Sequence, residues 1–485
     1  MLPALIRRQG RSTANQSRET GVTLLLVAVA MFGIIAMAAM SIDVGTLYQA
    51  SAEAQRAADA AALAGARVLS DSGMAGDPQN ISGKWTVVCA NATQVAQAVA
   101  GQNNIAGAAP STVTVTFSAS DGSGCTTGPV GFGVNPIVTV KVTQSTLPIY
   151  FTRIWGRSGS SVSATATAEA FNPSNSSSYA SGGATVPVQP RCVKPWVVPN
   201  YEPWIPTSCN QNCNSFIDPV AGTITNPGIA IDTANAVIGQ TFTLTAACKY
   251  KPSTCVLGRG KATQPMQPEA NVPGNGGGHI PNPPNLEYLP GEALYPSAAV
   301  PSDGSNACSG VSDDYAQAIA GCDQYTQYQC GKPLQNAVDL SSNPGPDDTP
   351  NGAQCVIHSG NGNNGQDTLV NNGATTPLAA YPFQIQAGSN NPLVNAKVAA
   401  SGDAITSSTS IVSLPIYDST AVTSFTAGST TRVTIIGFLQ VFINSVDNSG
   451  NVSVTVMNVS GCGNSASGTA LTGTSPVPVR LITPP

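Results

Sequence analysis

The sequence predicts an α+β protein: a long N-terminal transmembrane helix that extends into an ectodomain, then β-rich, loop-rich, disulfide-containing exported domains. Three observations predict it. An uncharged run from Val22 to Met40 passes into an alanine-rich stretch of helical period. Several later stretches alternate with period two and carry β-branched residues. Twelve cysteines, all beyond position 88, are spread through a chain with 48 glycines, 37 prolines and 9% charged residues.

At 485 residues the chain is too long for one small core, so two or more packed units are expected. Few Lys and Glu residues means few long polar helix faces, whereas Gly, Pro, Ser, Thr and Asn favour turns and short strands. The net charge is −5 with no basic patch, which gives nucleic-acid binding no electrostatic footing. An even number of cysteines in an oxidising compartment reads as up to six disulfides. The zinc alternative is poorly supported. The tightest spacing is Cys209-x3-Cys213, and the histidines are His279 and His358 alone.

The first element is VTLLLVAVAMFGIIAMAAM, Val22 to Met40. At about 1.5 Å per residue it nearly matches a hydrocarbon core of about 30 Å. Arg7, Arg8, Arg11 and Arg18 precede it, against Glu19 alone, and Asp43 follows it. The positive-inside rule then places residues 1–20 in the cytoplasm and everything after residue 41 outside. The competing reading is a cleaved signal peptide, cut at Ala36-Met37-Ala38. The length of the run favours a retained anchor.

Beyond the anchor, Leu47, Ala50, Ala54, Ala57, Ala61, Ala64 and Val68 recur at three- and four-residue steps, one stripe of a helix. Glu53, Arg56 and Asp59 lie on another side at i, i+3 spacing. Alanine favours the helix, Gly45 weakens it by about 1 kcal/mol, and Asp71-Ser72-Gly73 is the predicted stop. The small-residue stripe suits close packing, either on the chain's own ectodomain or against partner helices.

The string Ile42-Asp43-Val44-Gly45-x-Leu47-Tyr48, followed by Gln55-Arg56-Ala57-Ala58-Asp59-Ala60-Ala61-Ala62-Leu63-Ala64-Gly65-Ala66, resembles the N-terminal signature of TadG-like proteins of the tight-adherence (Tad/Flp) pilus assembly system. The likeness covers roughly residues 19–70 and is weaker at Val162 to Ala170. It implies an inner-membrane protein that helps build, secrete or tether an adhesive pilus, with other assembly subunits as partners. Some relatives carry a metal-binding D-x-S-x-S loop. Asp121-Gly122-Ser123-Gly124-Cys125 and Asp303-Gly304-Ser305-Asn306-Ala307 both lack its second serine, so no metal ligand is assigned. Gly21 sits where a prepilin would be cut, but Leu26 stands where the glutamate of that site is expected.

The expected organisation is therefore a basic cytoplasmic segment (1–20), a transmembrane helix (21–41), a TadG-like helix with a small β-sheet (42–171), a linker (172–190), an irregular Cys/Pro/Gly-rich region (191–400) and a C-terminal β-rich region (401–485). Thr112–Phe117, Ile137–Val142 and Val162–Ala170 are the strands of the first sheet. Two strands are expected in Ile229–Ala247, and a short helix in Asp313–Cys330 stapled by Cys322 and Cys330. Ser410–Ile416, Arg432–Ile443 and Asn451–Val459 are the strongest later strands, with a hairpin turn at Asp447–Asn451.

No G-x-S-x-G elbow, H-E-x-x-H or phosphate-binding glycine loop is present. His358 beside Ser359, the pair Asp347-Asp348, and the aromatic group Trp196, Tyr201 and Trp204 are candidate catalytic, calcium and glycan sites. Each reads better as a loop, a solvated turn or a packing element. No catalytic residue, cofactor, metal or small-molecule substrate is predicted. The expected function is a non-enzymatic, membrane-anchored component of pilus assembly or an envelope scaffold. The alternative is a surface adhesin or pilin-like subunit with a binding ectodomain.

Overall fold

A computed structural model describes residues 16–73, 75, 84–119, 124–125, 135–151, 159–172, 187–203, 215–220, 222, 224–225, 237–246, 285–291, 308–322, 328, 335–338, 347–359, 364–370, 383–419, 431–461 and 471–483. Two compact units are formed. The first comprises Met1–Ala58, Ala100–Val113 and Lys141–Thr165, and the second Asp59–Val99, Thr114–Val140 and Ala166–Pro485. The fold is α+β, as expected: a long apolar helix, then a β-rich, disulfide-bearing remainder.

Helix α1 (Gln16–Asp71) is one continuous element of 56 residues. It ends where Asp71-Ser72-Gly73 predicts. The Ser72 N–H reaches the Val68 carbonyl, and Gly73 takes φ +80°, the left-handed closing position that glycine fills without strain. Its predicted stripe is only partly the buried one. Ala50, Ala54, Ala57 and Ala61 are buried, but the covered face then shifts to Ala58, Ala62, Ala66 and Leu69, leaving Ala64 and Val68 half-buried. A straight helix of 3.6 residues per turn drifts against a 3.5-residue repeat, so a stripe drawn at alternating steps rotates off the contact.

Helix α2 (Lys84–Gln102) is absent from the sequence-based expectation, which read residues 84–171 for strands alone. Trp85, Val88, Cys89, Ala92, Ala96 and Ala100 form its buried face. Strands β1 (Thr112–Ala119), β2 (Pro136–Leu147) and β3 (Ser160–Ala170) follow, each containing its predicted core and running further. In the second unit α1 and α2 meet through glycine. A Cβ on Gly65 would stand 3.2 Å from Val138 Cγ1 and 3.4 Å from Ala96 Cβ. Gly65→Leu is therefore expected to cost roughly 1–3 kcal/mol by overpacking. A thermal unfolding midpoint equal to that of the parent protein would refute the close packing.

The remaining elements are β4 (Val188–Pro190), β5 (Trp196–Pro199), β6 (Thr241–Ala246), β7 (Asn285–Pro290), α3 (Asp314–Ala320), β8 (Gln335–Val338), α4 (Asp348–Val356), β9 (Thr368–Leu369), β10 (Ile385–Gln386), α5 (Pro392–Asn395), β11 (Ala404–Ile405), β12 (Ile411–Tyr417), β13 (Thr431–Val446), β14 (Val452–Gly461), β15 (Leu471–Gly473) and β16 (Val479–Ile482). The largest sheet runs β12-β5-β7-β6-β14-β13-β8, and β12 also pairs with β13. Those pairings close six strands into a ring. The β12–β5 and β6–β7 ladders are parallel, and the other four are antiparallel. Closure removes free edges from the ring, and the register shifts at Ile416/Tyr417, Gln440/Val441 and Ile443/Ser445 supply the local bends.

Apolar side chains fill the core of this unit: Phe242, Leu244, Leu286, Leu414, Leu439 and Val454 are all buried. Gly437 on β13 lets Ile217 and the Ser460 carbonyl approach closer than any side chain would allow. The β13–β14 hairpin turns at the predicted place. Asp447 caps it through the N–H groups of Ser449 and Asn451, and Gly450 takes φ +76°.

The smaller sheet runs β1-β2-β3-β16, so a strand from the end of the chain completes it. Arg480 lies opposite Glu169 across the β16–β3 ladder. The buried Glu169 carboxylate accepts from Arg480 Nε at 3.2 Å and Asn135 Nδ2 at 3.0 Å, so the charge is paired and its lone pairs are used.

Three disulfides lie among the described residues: Cys89–Cys125, Cys192–Cys322 and Cys308–Cys355. The expected Cys322–Cys330 staple is corrected, since Cys322 is bonded to Cys192 across 130 residues. Helix α3 needs no such staple, because Asp313 caps it through the Ala316 N–H while Tyr315 and Ile319 are buried. The β6 strand accounts for one of two strands expected in Ile229–Ala247, and residues 229–236 lie outside the described residues. So do Cys209, Cys213, Cys248, Cys255, Cys330, Cys462, His279, Trp204, most of the linker, Asp121–Ser123 of the first D-x-S-like loop and all of the second.

Candidate functional site

From Val22 to Ile42 the helix α1 presents apolar side chains on every side. Val22, Leu24, Leu25, Leu26, Val27, Val29, Met31, Phe32, Ile34, Ile35, Met37, Met40 and Ile42 are all more than half exposed. Twenty steps at about 1.5 Å give about 30 Å, the thickness of a bilayer's hydrocarbon core. A helix that is apolar all round and almost wholly bare is consistent with a membrane anchor. It is the one described helix long and apolar enough to cross a membrane, with a mean hydropathy of 2.6 over its best window.

Where the apolar run ends, the first unit takes hold of the helix. Asp43, 5% exposed, accepts from the backbone N–H of Tyr150 and of Phe151, each at 3.1 Å and each on a different carboxylate oxygen. Thr46 Oγ1 donates to the Asp43 carbonyl at 2.8 Å. Further along, Glu53 Oε2 accepts the Ala106 N–H at 2.7 Å, and Gln49 Nε2 donates to Glu53 Oε1 at 3.0 Å. The Ala106 N–H, followed by the Gln49 amide, holds the Glu53 carboxyl below its ordinary value. Ala106 and Gly107 both take positive φ, which forms the tight turn that aims this N–H at the helix. Two carboxylates thus bind backbone amides that are distant in sequence.

In the second unit the end of α1 is fastened again. Ser70 Oγ donates to the Val477 carbonyl at 2.7 Å, and the Ser70 carbonyl accepts from Asn458 Nδ2 at 2.7 Å. Arg67 Nε sits 2.6 Å from Asp71 Oδ2. Burial pushes the Asp71 carboxyl up, against the pull of Arg67. Beside this turn lies a cavity of about 300 Å³ whose walls include Val68, Val95, Phe383, Ile385, Ile405 and Met457.

Among the described residues, the others singled out in the sequence are not brought together into one site. Trp196 is fully buried on β5 with its ring 5.9 Å from that of Tyr288, and Tyr201 is buried as well, so both are core. Asp347 is the N-cap of α4, followed by Asp348 in its first turn. His358 is buried just past that helix, and its carbonyl accepts from Asn390 Nδ2. Among the described residues no three of His, Cys, Asp or Glu are grouped as a metal site would need. Among the described residues the arrangement on α1 is an apolar rod with hydrogen bonds that fix it to the chain folded beside it. The rod, Asp43 and Glu53 are legible in the sequence, but what the two carboxylates hold is not. Their partners lie 107, 108 and 53 residues away, in turns of unremarkable sequence.

Residues 21–68 match the Tad family model, described as "Putative Flp pilus-assembly TadE/G-like". The match covers the whole apolar run, Asp43, Glu53 and Gly65. No curated protein and no solved structure matches the chain.

Proposed function

We propose that the chain is a non-enzymatic, single-pass membrane component of Tad/Flp pilus assembly or of the envelope scaffold that supports it. Its N-terminus lies in the cytoplasm, its β-rich body outside the inner membrane, and its partners are other assembly subunits. The observation that carries this reading is one unbroken helix, bare and apolar for a bilayer's thickness, then buried in a folded body. That helix is also the segment that matches the pilus-assembly family. Four arginines before the apolar run support the orientation, and disulfides beyond it suit an oxidising compartment.

The rod fits the role. A helix that leaves the membrane without a hinge fixes the height and direction of whatever it carries, at about 1.5 Å per residue. In bacteria that build Flp pili through this chain, its deletion is expected to strip most pili from the cell surface, and the intact gene to restore them. Normal piliation in the deletion strain, counted by electron microscopy, would overturn the assignment.

A further inference from the structure

The geometry points to a second membrane contact: we propose that the turn Tyr150–Phe151, hung on Asp43, rests in the interfacial layer of the same bilayer that α1 crosses. The inference rests on the anchor reading and adds a contact that the helix alone does not require.

Its basis is the level at which this turn is held. Side chains of a helix tilt toward its N-terminus, so the Asp43 carboxylate lies over the turn before residue 43, beside the last apolar turn of the span. Both of its oxygens are occupied by the backbone amides of Tyr150 and Phe151. Those two residues are therefore level with Ala39–Ile42 rather than above them. On the same face, Ala39 is 7% exposed, whereas Met40 is 57% exposed, so the body covers one side of the helix at this depth.

The side chains at that level suit the interface. Tyr150 is 59% exposed and Phe151 36% exposed, with Tyr48 of α1 at 75% about a turn and a half further out. Aromatic rings concentrate at the membrane–water boundary, where an apolar body and a polar edge are both satisfied. Asp43 also resolves its own difficulty there. A carboxylate at the edge of the hydrocarbon needs donors, and two backbone N–H groups are among those that supply them. With α1 as one point and the turn as another, rotation of the first unit about the helix axis is restrained.

The test uses the full chain in phospholipid nanodiscs, with a nitroxide side chain introduced genetically at Ile34, Tyr150 or Val398 in separate samples. This leaves the cysteines intact. Val398 is 70% exposed and serves as the water reference. Collisions with oxygen and with a water-soluble nickel chelate are then measured. The expected result is that the label at 150, like that at 34, loses most of its collisions with the chelate relative to 398 and gains collisions with oxygen. Adding Asp43→Ala is expected to return the label at 150 toward the values at 398. A label at 150 as open to the chelate as one at 398, with 34 shielded, overturns this contact and leaves the anchor standing. An open label at 34 overturns the anchor and this inference with it.

Discussion

Phe32→Arg with Ile35→Arg is expected to move the protein from the alkali-resistant membrane pellet to the supernatant. Both side chains stand bare in the middle of the apolar run, at 70% and 61% exposure. Each arginine at the centre of a spanning helix costs about 2.5–3.5 kcal/mol on the insertion scale, and each lost Phe or Ile forfeits about 0.3–0.6. The pair therefore costs roughly 6–8 kcal/mol. The remaining Leu, Ile and Val residues of the run, at the same per-residue values, supply only about 2–4 kcal/mol. Insertion is then unfavourable rather than merely weakened. Tyr48→Arg lies beyond the span and is expected to leave partition unchanged, which separates a membrane effect from a general effect of charge. If the double variant stays in the pellet after carbonate extraction, α1 is not what holds the chain there. The same variant reports on export. A chain that fails to insert keeps its cysteines on the reducing side, so reactive thiols should appear along with the soluble protein.

That experiment probes the part of the fold most legible from sequence. Nineteen uncharged residues and a run of alanines need no tertiary information to be read as a helix, and Gly73 marks its end because few other residues tolerate its φ. Strands β1, β2, β3 and β14 were legible because β-branched residues alternate there against small or polar neighbours, and β12 and β13 because they are near-continuous apolar runs. Helix α2 was not recognised, although Trp85, Val88, Cys89, Ala92, Ala96 and Ala100 have helical spacing. Its outer face is largely Ala, Thr, Asn and Gln, so the contrast between faces is low, and the alternating stretches that follow carry the stronger periodic signal.

The ring of six strands was beyond reach for a different reason. It closes when Ile416 and Tyr417 pair with Val198 and Pro199, more than two hundred residues apart, and nothing local encodes that partnership. The same holds for the fastening of the anchor. Asp43 reads as a charge at a membrane exit, but Tyr150 and Phe151 contribute only backbone N–H groups, which every residue except proline possesses. Cysteine pairing is of this kind too. Twelve thiols are visible in a sequence, yet the choice of Cys192 for Cys322 over the nearer Cys330 is made by the fold.

Of the three disulfides among the described residues, that bond should be the most consequential one to remove. Cys192 precedes β5, and Cys322 lies just past the end of α3. The link closes a loop of 130 residues, for which chain entropy alone gives about 5 kcal/mol. Cys308–Cys355, between the residues before α3 and helix α4, closes 47, for about 4 kcal/mol. Cys192→Ala with Cys322→Ala is thus expected to lose roughly 4–5 kcal/mol, about 1 more than Cys308→Ala with Cys355→Ala. The buried Lys194 adds to the difference. Its ammonium donates to the Gly321 carbonyl at 2.6 Å, beside Cys322, and its own N–H bonds the Ser413 carbonyl on β12. Release of the α3 end loosens that carbonyl and leaves a buried cation less well held, a cost beyond chain entropy. Urea unfolding of the two variants, with and without reductant, measures the ordering. If reductant leaves the midpoint of the parent protein in place, the crosslinks do not stabilise the body. If the 47-residue link proves the more costly to lose, chain entropy and Lys194 are not what governs its stability.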